Sequence, residues 1–179
     1  MLTIDKEKTI TSNYVFEGNI LNTRVDKVEL PDGKDTTREI IEHSGGVAIL
    51  PVTDDEEIIM VRQYRIAPDE ILLELPAGKL EPEEDPRDCA VRELLEETGF
   101  EAETAEPLFS FYTTPGYSDE LLYLFQAQPV VKVKEQKLDE GEFVEVEKIK
   151  SESIMDLIAE GKIKDSKTMI GLLYYLGRK

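Results

Sequence analysis

The stretch GKLEPEEDPRDCAVRELLEETGF, residues 78 to 100, constrains this chain more than any other. A helix starts after Pro86, in acid-rich sequence that suits a helix N-terminus, and stops at Gly99. At about 100° per residue, with Glu93 at zero, Glu97 falls near 40° and Glu96 near −60°. Ala90, Val91, Leu94 and Leu95 fill the adjoining arc, so one side packs and the next presents carboxylates. Those carboxylates stand at the negative end of the helix dipole, where cations belong. Like charges three and four residues apart also repel, by about 3 kcal/mol at about 5 Å and an effective dielectric of about 20. With 39 acidic residues in the chain, a water-solvated acidic face is the plain alternative. A solvated face would still avoid this helix end. Rules broken together in this way point to a functional site. A hard divalent cation, Mg²⁺ or Mn²⁺, would reverse each objection. Just upstream, LELPAG ends at Gly78, which permits close backbone approach, and Ala77 or Gly78 offers a carbonyl. A loop and an acidic helix so arranged suit a metal-bridged phosphate.

Charge and composition exclude much else. The formal charge of −18 argues against nucleic acid and anionic membranes as partners. One histidine, His43, is too few for a multi-histidine zinc site and makes a Ser-His-Asp hydrolase hard to build. The single cysteine, Cys89, has no intrachain partner for a disulfide, which fits a reducing cytoplasm. No run of about 18 apolar residues is present, and MLTIDKEKTI lacks a signal-peptide layout.

Along the chain, VFEGNILNTRVDKVEL, the turn PDGK and TTREIIEHS read as an antiparallel ribbon. GGVAILPVT reads as a buried strand. EEIIMVRQYR, EILLELPAG, PLFSFYTT, ELLYLFQA and EFVEVEKI read as further strands, with helices at about 151–160 and 165–177. Met169, Leu172, Leu173 and Leu176 read as the core face of the last helix. The expected fold is α/β: an α/β/α sandwich with a mixed sheet over residues 44–179, preceded by antiparallel strands over residues 1–43.

The spacing Gly78, Glu84, Arg92-Glu93-Leu94-Leu95-Glu96-Glu97-Thr98-Gly99 resembles the Nudix box at each fixed position, which is far more specific than a typical short motif. The resemblance implies a Mg²⁺- or Mn²⁺-dependent hydrolase of nucleoside diphosphates linked to another moiety. It implies Glu93 and Glu97 as metal ligands, Glu96 as a further ligand or one acting through water, and the Ala77 carbonyl completing the set. Arg92 and Glu84 would be the ion pair that orients the box, between Gly78 and Gly99.

Outside the box, VELPDGKDTTREIIEHSGGVAIL, VRQYR, LELPAGKLE, TPGYSDE and GKIKDSKTMIGLLYYL resemble the ADP-ribose pyrophosphatase subgroup, as does Pro115, sixteen residues after Gly99. The implied substrate is ADP-ribose, cleaved to AMP and ribose 5-phosphate. Arg65 would touch the diphosphate or terminal ribose, and Glu74 would hydrogen-bond within the substrate site. Arg38 and Phe16 would help hold adenine, from a homodimer partner if the N-terminal strands are exchanged. A lone ribbon is marginal by itself, which suits such an exchange. The catalytic base would be a glutamate in a later loop, Glu142 in KLDEGEFVEV, with Glu140 and Asp139 as competitors. Glu120 has no assigned role. Alternatives are a pyrophosphatase for another ADP-sugar, a GDP-sugar or a dinucleotide, and a non-catalytic ADP-ribose-binding module.

Overall fold

The computed structural model describes residues 5–138, 141 and 143–178. The chain forms two compact units, one of residues 5–45 and 112–121, the other of residues 46–111 and the described residues from 122 onward.

In the first unit, β1 (Lys8–Glu17), β2 (Leu21–Glu29) and β3 (Asp35–His43) form an antiparallel sheet in that order. The turn at residues 30–34 closes β2 onto β3, with Gly33 at φ 83° donating its N–H to the Leu30 carbonyl. The positive φ is what a glycine tolerates. The segment 112–121 joins this unit by pairing with β3. Ile41 N–H donates to the Tyr117 carbonyl, and Asp119 N–H to the Ile41 carbonyl. β1 was legible only in part. The sequence pattern carries one strand through Gly18 and Asn19, whereas the structure breaks there and pairs β1 back on β2. Every residue of β1 is exposed, so its sequence carries no buried-face alternation.

The second unit begins with β4 (Gly46–Pro51), β5 (Glu57–Arg65), β6 (Glu70–Glu74) and β7 (Ala77–Lys79). Then come α1 (Pro86–Thr98), β8 (Phe100–Glu101), β9 (Glu106–Tyr112, its last residue grouped with the first unit) and β10 (Leu121–Ala127, its first residue likewise). β11 (Val131–Lys132), β12 (Val144–Lys150), a 3₁₀ turn (Ser151–Ser153), α2 (Ile154–Ala159) and α3 (Ser166–Gly177) complete it. One sheet has the order β7-β4-β10-β9, with β10 parallel and β7 antiparallel to β4. The other has the order β12-β5-β6, antiparallel throughout. β8 and β11 form a short separate ribbon.

Strand alternation makes the sandwich. On β4, Val47 and Ile49 join a core with Cys89, Ala90 and Leu94 of α1. Ala48 and Leu50 face the other way, into a core with Ile154 of α2 and Leu172 and Tyr175 of α3. Both faces of the strand are covered, which is why GGVAILPVT reads as an unbroken apolar run. α1 therefore lies on one side and α2 and α3 on the other, the α/β/α arrangement the sequence implies. Two details differ from the sequence reading. EILLELPAG is two strands, because Leu75 and Pro76 turn the chain between β6 and β7. On α3 the buried stripe is Thr168, Gly171, Leu172 and Tyr175, while Leu173 is 43% exposed and not core.

Candidate active site

The candidate site is built where β7 meets the last turns of α1. Asp85 caps α1, accepting from the Arg87 N–H, Pro86 sits in the first turn, and Gly99 closes the helix at φ 69°. Pairing of β7 with β4 puts Ala77 opposite Ala48 and Gly78 opposite Val47, in the layer against which α1 packs. Glu97 is buried, and its Oε2 accepts from the Ala77 N–H at 3.1 Å. Glu93 lies against Gly78 so closely that a Cβ on residue 78 would stand 1.9 Å from its carboxyl carbon. Glycine is therefore required here for close approach, not for an unusual backbone angle.

Arg92 is the hub of the acidic face. Its Nε and Nη2 grip Glu84 at 2.8 and 2.9 Å, and its Nη1 reaches Glu93 at 2.8 Å and Glu96 at 3.1 Å. The Arg92 hydrogen bonds hold the Glu84 carboxyl down at about 2, against a smaller opposing effect of burial. Glu84 in turn raises Arg92 further above its ordinary value. Cys89, fully buried, has its thiol pushed up to about 12 by burial and by Glu84, so it is no nucleophile at neutral pH.

The far end of α1 is less uncompensated than its sequence implies. Lys132 Nζ donates to the Thr98 carbonyl at 2.9 Å, and the Val133 and Lys134 N–H groups both donate to the Gly99 carbonyl. Lys137 N–H donates to Glu96, and Gln136 Nε2 bridges the carbonyls of Glu97 and Val144. Protein donors thus answer the helix dipole at the carbonyls of Glu96, Glu97, Thr98 and Gly99.

Among the described residues no three Asp, Glu, His or Cys side chains are grouped closely enough to hold a metal ion as they stand. Glu93 and Glu96 are drawn to Arg92, and Glu97 to the Ala77 N–H. The donor set nonetheless fits a hard divalent cation. Its atoms are all oxygens, on three side chains of one helix, and Gly78 leaves room for Glu93 at the loop.

A second cluster adjoins the first. Arg65, at the end of β5, forks onto Glu74, at the end of β6, with Nε–Oε1 and Nη2–Oε2 at 2.8 and 2.9 Å. Glu74 also accepts from Lys167 Nζ, which pairs with Asp165 at 3.0 Å. Burial pushes the Glu74 carboxyl up, but Arg65 and Lys167 outweigh it and hold it below the ordinary carboxylate value. Arg65 is raised by its hydrogen bonds to Glu74, against burial, and further by the charges of Glu74, Glu97 and Asp165, which ties this cluster to the box. Asp165 caps α3 through the Thr168 N–H, and Thr168 Oγ1 accepts from Leu75 N–H, so the start of α3 holds the loop leading to Ala77. Lys167 was not singled out from sequence. The signal was DSKT, a capping aspartate with a lysine inside the first turn.

The remaining expected residues belong to the first unit. Phe16 is exposed on β1, and Arg38 on β3 pairs with Glu7 at 2.6 and 3.0 Å. Pro115 is exposed in the 112–121 segment, where Thr113 Oγ1 donates to Glu120 at 2.6 Å. His43 Nδ1 accepts from the Gly45 N–H and lies 3.6 Å from Glu120, a structural position near the start of β4. The expected base Glu142, with Glu140 and Asp139, lies outside the described residues.

Comparison with known proteins places the chain among characterised families. The family described as NUDIX domain matches residues 42–170, and the one described as nucleoside diphosphate sugar hydrolase N-terminal domain matches residues 7–41. The chain is 44% identical over 170 residues to the methanol dehydrogenase activator of Bacillus methanolicus, covering 94% of this chain and 92% of that one. It is 42% identical, over the same shares, to the ADP-ribose pyrophosphatase of Bacillus subtilis (strain 168). It is 32% identical to the GDP-mannose pyrophosphatase of Cronobacter sakazakii, covering 96% and 92%. Among solved structures, an ADP compounds hydrolase superposes with a TM-score of 0.84 at 22% identity, over 96% of this chain and 92% of that one, a likeness of fold.

Proposed function

The chain belongs to the Nudix family, and we propose that it hydrolyses the diphosphate of ADP-ribose to AMP and ribose 5-phosphate with Mg²⁺ or Mn²⁺. The observation that carries this reading is the bracketing of one short loop by two box carboxylates, Glu93 against Gly78 and Glu97 on the Ala77 N–H. The identity to an ADP-ribose pyrophosphatase across 94% of the chain supports the substrate.

In this reading Glu93, Glu96, Glu97 and the Ala77 carbonyl hold the cation. When bound, it offsets the charge of the diphosphate and lowers the pKa of an attacking water. Arg92, gripped by Glu84, keeps Glu93 and Glu96 on one face of α1. Arg65, oriented by Glu74, meets the diphosphate. Glu142 takes the proton from water as the water oxygen bonds to phosphorus and the bridging oxygen leaves on the other phosphate; Glu140 is its competitor. Phe16 and Arg38 hold the adenine, and Pro115 contributes to substrate selection. We assign the chain to the cytoplasm, on its single cysteine, and to a homodimer with exchanged N-terminal strands.

A GDP-sugar, another ADP-sugar or a dinucleotide is the second reading for substrate, favoured by the GDP-mannose pyrophosphatase relative. A non-catalytic ADP-ribose-binding module is disfavoured by the complete box. Action on a dehydrogenase rests on the name of one relative alone.

The test is product analysis with ADP-ribose and Mg²⁺, beside other ADP-sugars, NADH and GDP-mannose, for wild type and Glu97→Gln. AMP and ribose 5-phosphate from ADP-ribose, reduced at least about 100-fold in the variant, is the expected result, a loss of about 3 kcal/mol in transition-state stabilisation. Preference for another panel member would replace the substrate, and binding without turnover would make the chain a sensor.

A further inference from the structure

We propose that Lys167 is a positioning residue for the diphosphate, acting through Glu74 on Arg65; this rests on the pyrophosphatase reading above. Two cations, Arg65 and Lys167, share one buried carboxylate, Glu74. The Glu74 side chain is 2% exposed, Lys167 12%, and Arg65 40%. The exposed member is thus the one that can reach substrate, and the other two stand behind it. Arg65 uses Nε and Nη2 on Glu74, which leaves Nη1 outside the fork. A fork fixes the plane of a guanidinium, so the direction of Nη1 depends on where the Glu74 carboxylate stands.

Glu74 cannot fix its own position with Arg65 alone, since Arg65 is the member the site needs to be held. Lys167 supplies a second anchor, from α3, on the Oε2 that Arg65 Nη2 also uses, and Asp165 holds Lys167 in turn. Asp165 also caps α3, and Thr168, the residue after Lys167, takes the Leu75 N–H. The anchor is therefore built into the first turn of a helix packed on the core, not onto a free side chain. Electrostatics points the same way. Two anions, Glu74 and Asp165, balance two cations, Arg65 and Lys167. Without Lys167 a net negative cluster would lie beside the Glu97 carboxylate, where an anionic substrate must enter.

The experiment measures steady-state kinetics on ADP-ribose and calorimetric binding of inorganic pyrophosphate, both with Mg²⁺, for Lys167→Met, Lys167→Arg and Glu74→Gln, and for Lys167→Met made in the Glu74→Gln background. For Lys167→Met, KM should rise at least about tenfold with kcat within about threefold, and pyrophosphate binding should weaken by a similar factor. Lys167→Arg should recover to within about threefold of wild type. In the Glu74→Gln background, Lys167→Met should add less than about twofold, because the carboxylate it acts through is gone. A full tenfold effect in that background would overturn the proposal, as would an unchanged KM and unchanged pyrophosphate affinity. Lys167→Gln carries the same expectations should the Met variant not fold. A wild type inert on every nucleotide sugar, with pyrophosphate binding still dependent on Lys167, would sink the pyrophosphatase reading and leave this one standing. A wild type that cleaves ADP-ribose with no response to Lys167 would do the reverse.

Discussion

Arg92 shows how much one side chain organises. It is one residue away from Glu93, four from Glu96 and eight from Glu84, and it touches all three. Glu84 is the member with no expected contact to metal, so its contribution is to stability and alignment. Its folded carboxyl sits at about 2, below the ordinary 4.5. A group depressed on folding stabilises fully above its unfolded value and loses that contribution as pH falls through the folded one. The Glu84 contribution should therefore be complete above pH 4.5 and decay between pH 4.5 and 2. In urea titrations with chelator present, Glu84→Gln should be less stable than wild type by about 2 kcal/mol at pH 7. The gap should narrow steadily below pH 4.5. A gap that does not change with pH would mean that the carboxylate charge is not what Arg92 holds.

The loop of β7 and the helix α1 meet at Gly78, and there the element scale decides function. The three atoms nearest a Cβ at residue 78 all belong to the far end of the Glu93 side chain. The side chain can swing aside at small cost, so Gly78→Ala should change unfolding stability by less than about 1 kcal/mol. The displaced carboxylate is, however, the proposed ligand, so kcat/KM should fall at least about 100-fold. Stable protein with full activity would show that Glu93 does not need that place. Both partners in this contact were legible: Pro86 and Gly99 bounded the helix, and Gly78 implied close approach. What the sequence hid was decided by distant partners. Nothing in YTTPGYSDE says that its backbone will bond to Ile41, and nothing in DSKT says that its lysine will reach Glu74, 93 residues away. The donors at the end of α1 were hidden for the same reason, since Lys132 and Gln136 lie more than 30 residues from the α1 carbonyls they meet. Charge alone therefore overstated the case for a metal. The exact spacing of the box carried it.

At the scale of the whole molecule, β1 is the element left unexplained by a single chain. It is a ten-residue strand with every residue exposed, and it presents Ile10, Tyr14, Val15 and Phe16 to solvent. Long exposed strands with apolar side chains invite pairing unless something covers them. Its register with β2 skips at Ile10 and at Val15, where the partner strand supplies no opposing residue. The apolar side chains at these two bulge positions have no cross-strand partner and are 44% and 63% exposed. They fit contact with a second copy of this chain. Light scattering after gel filtration should give twice the 20.3 kDa chain mass. The double substitution Ile10→Lys with Val15→Lys should weaken dimerisation at least about tenfold, because each lysine would carry a charge into the covered surface. The thermal transition of the separated chain should stay cooperative, since both positions are exposed and neither belongs to the buried core. If Phe16 and Arg38 serve the partner's adenine, KM for ADP-ribose should rise at protein concentrations where the variant is monomeric and recover as concentration increases. A wild type that runs as a monomer at micromolar concentration, with full activity, would mean that β1 is covered by something else.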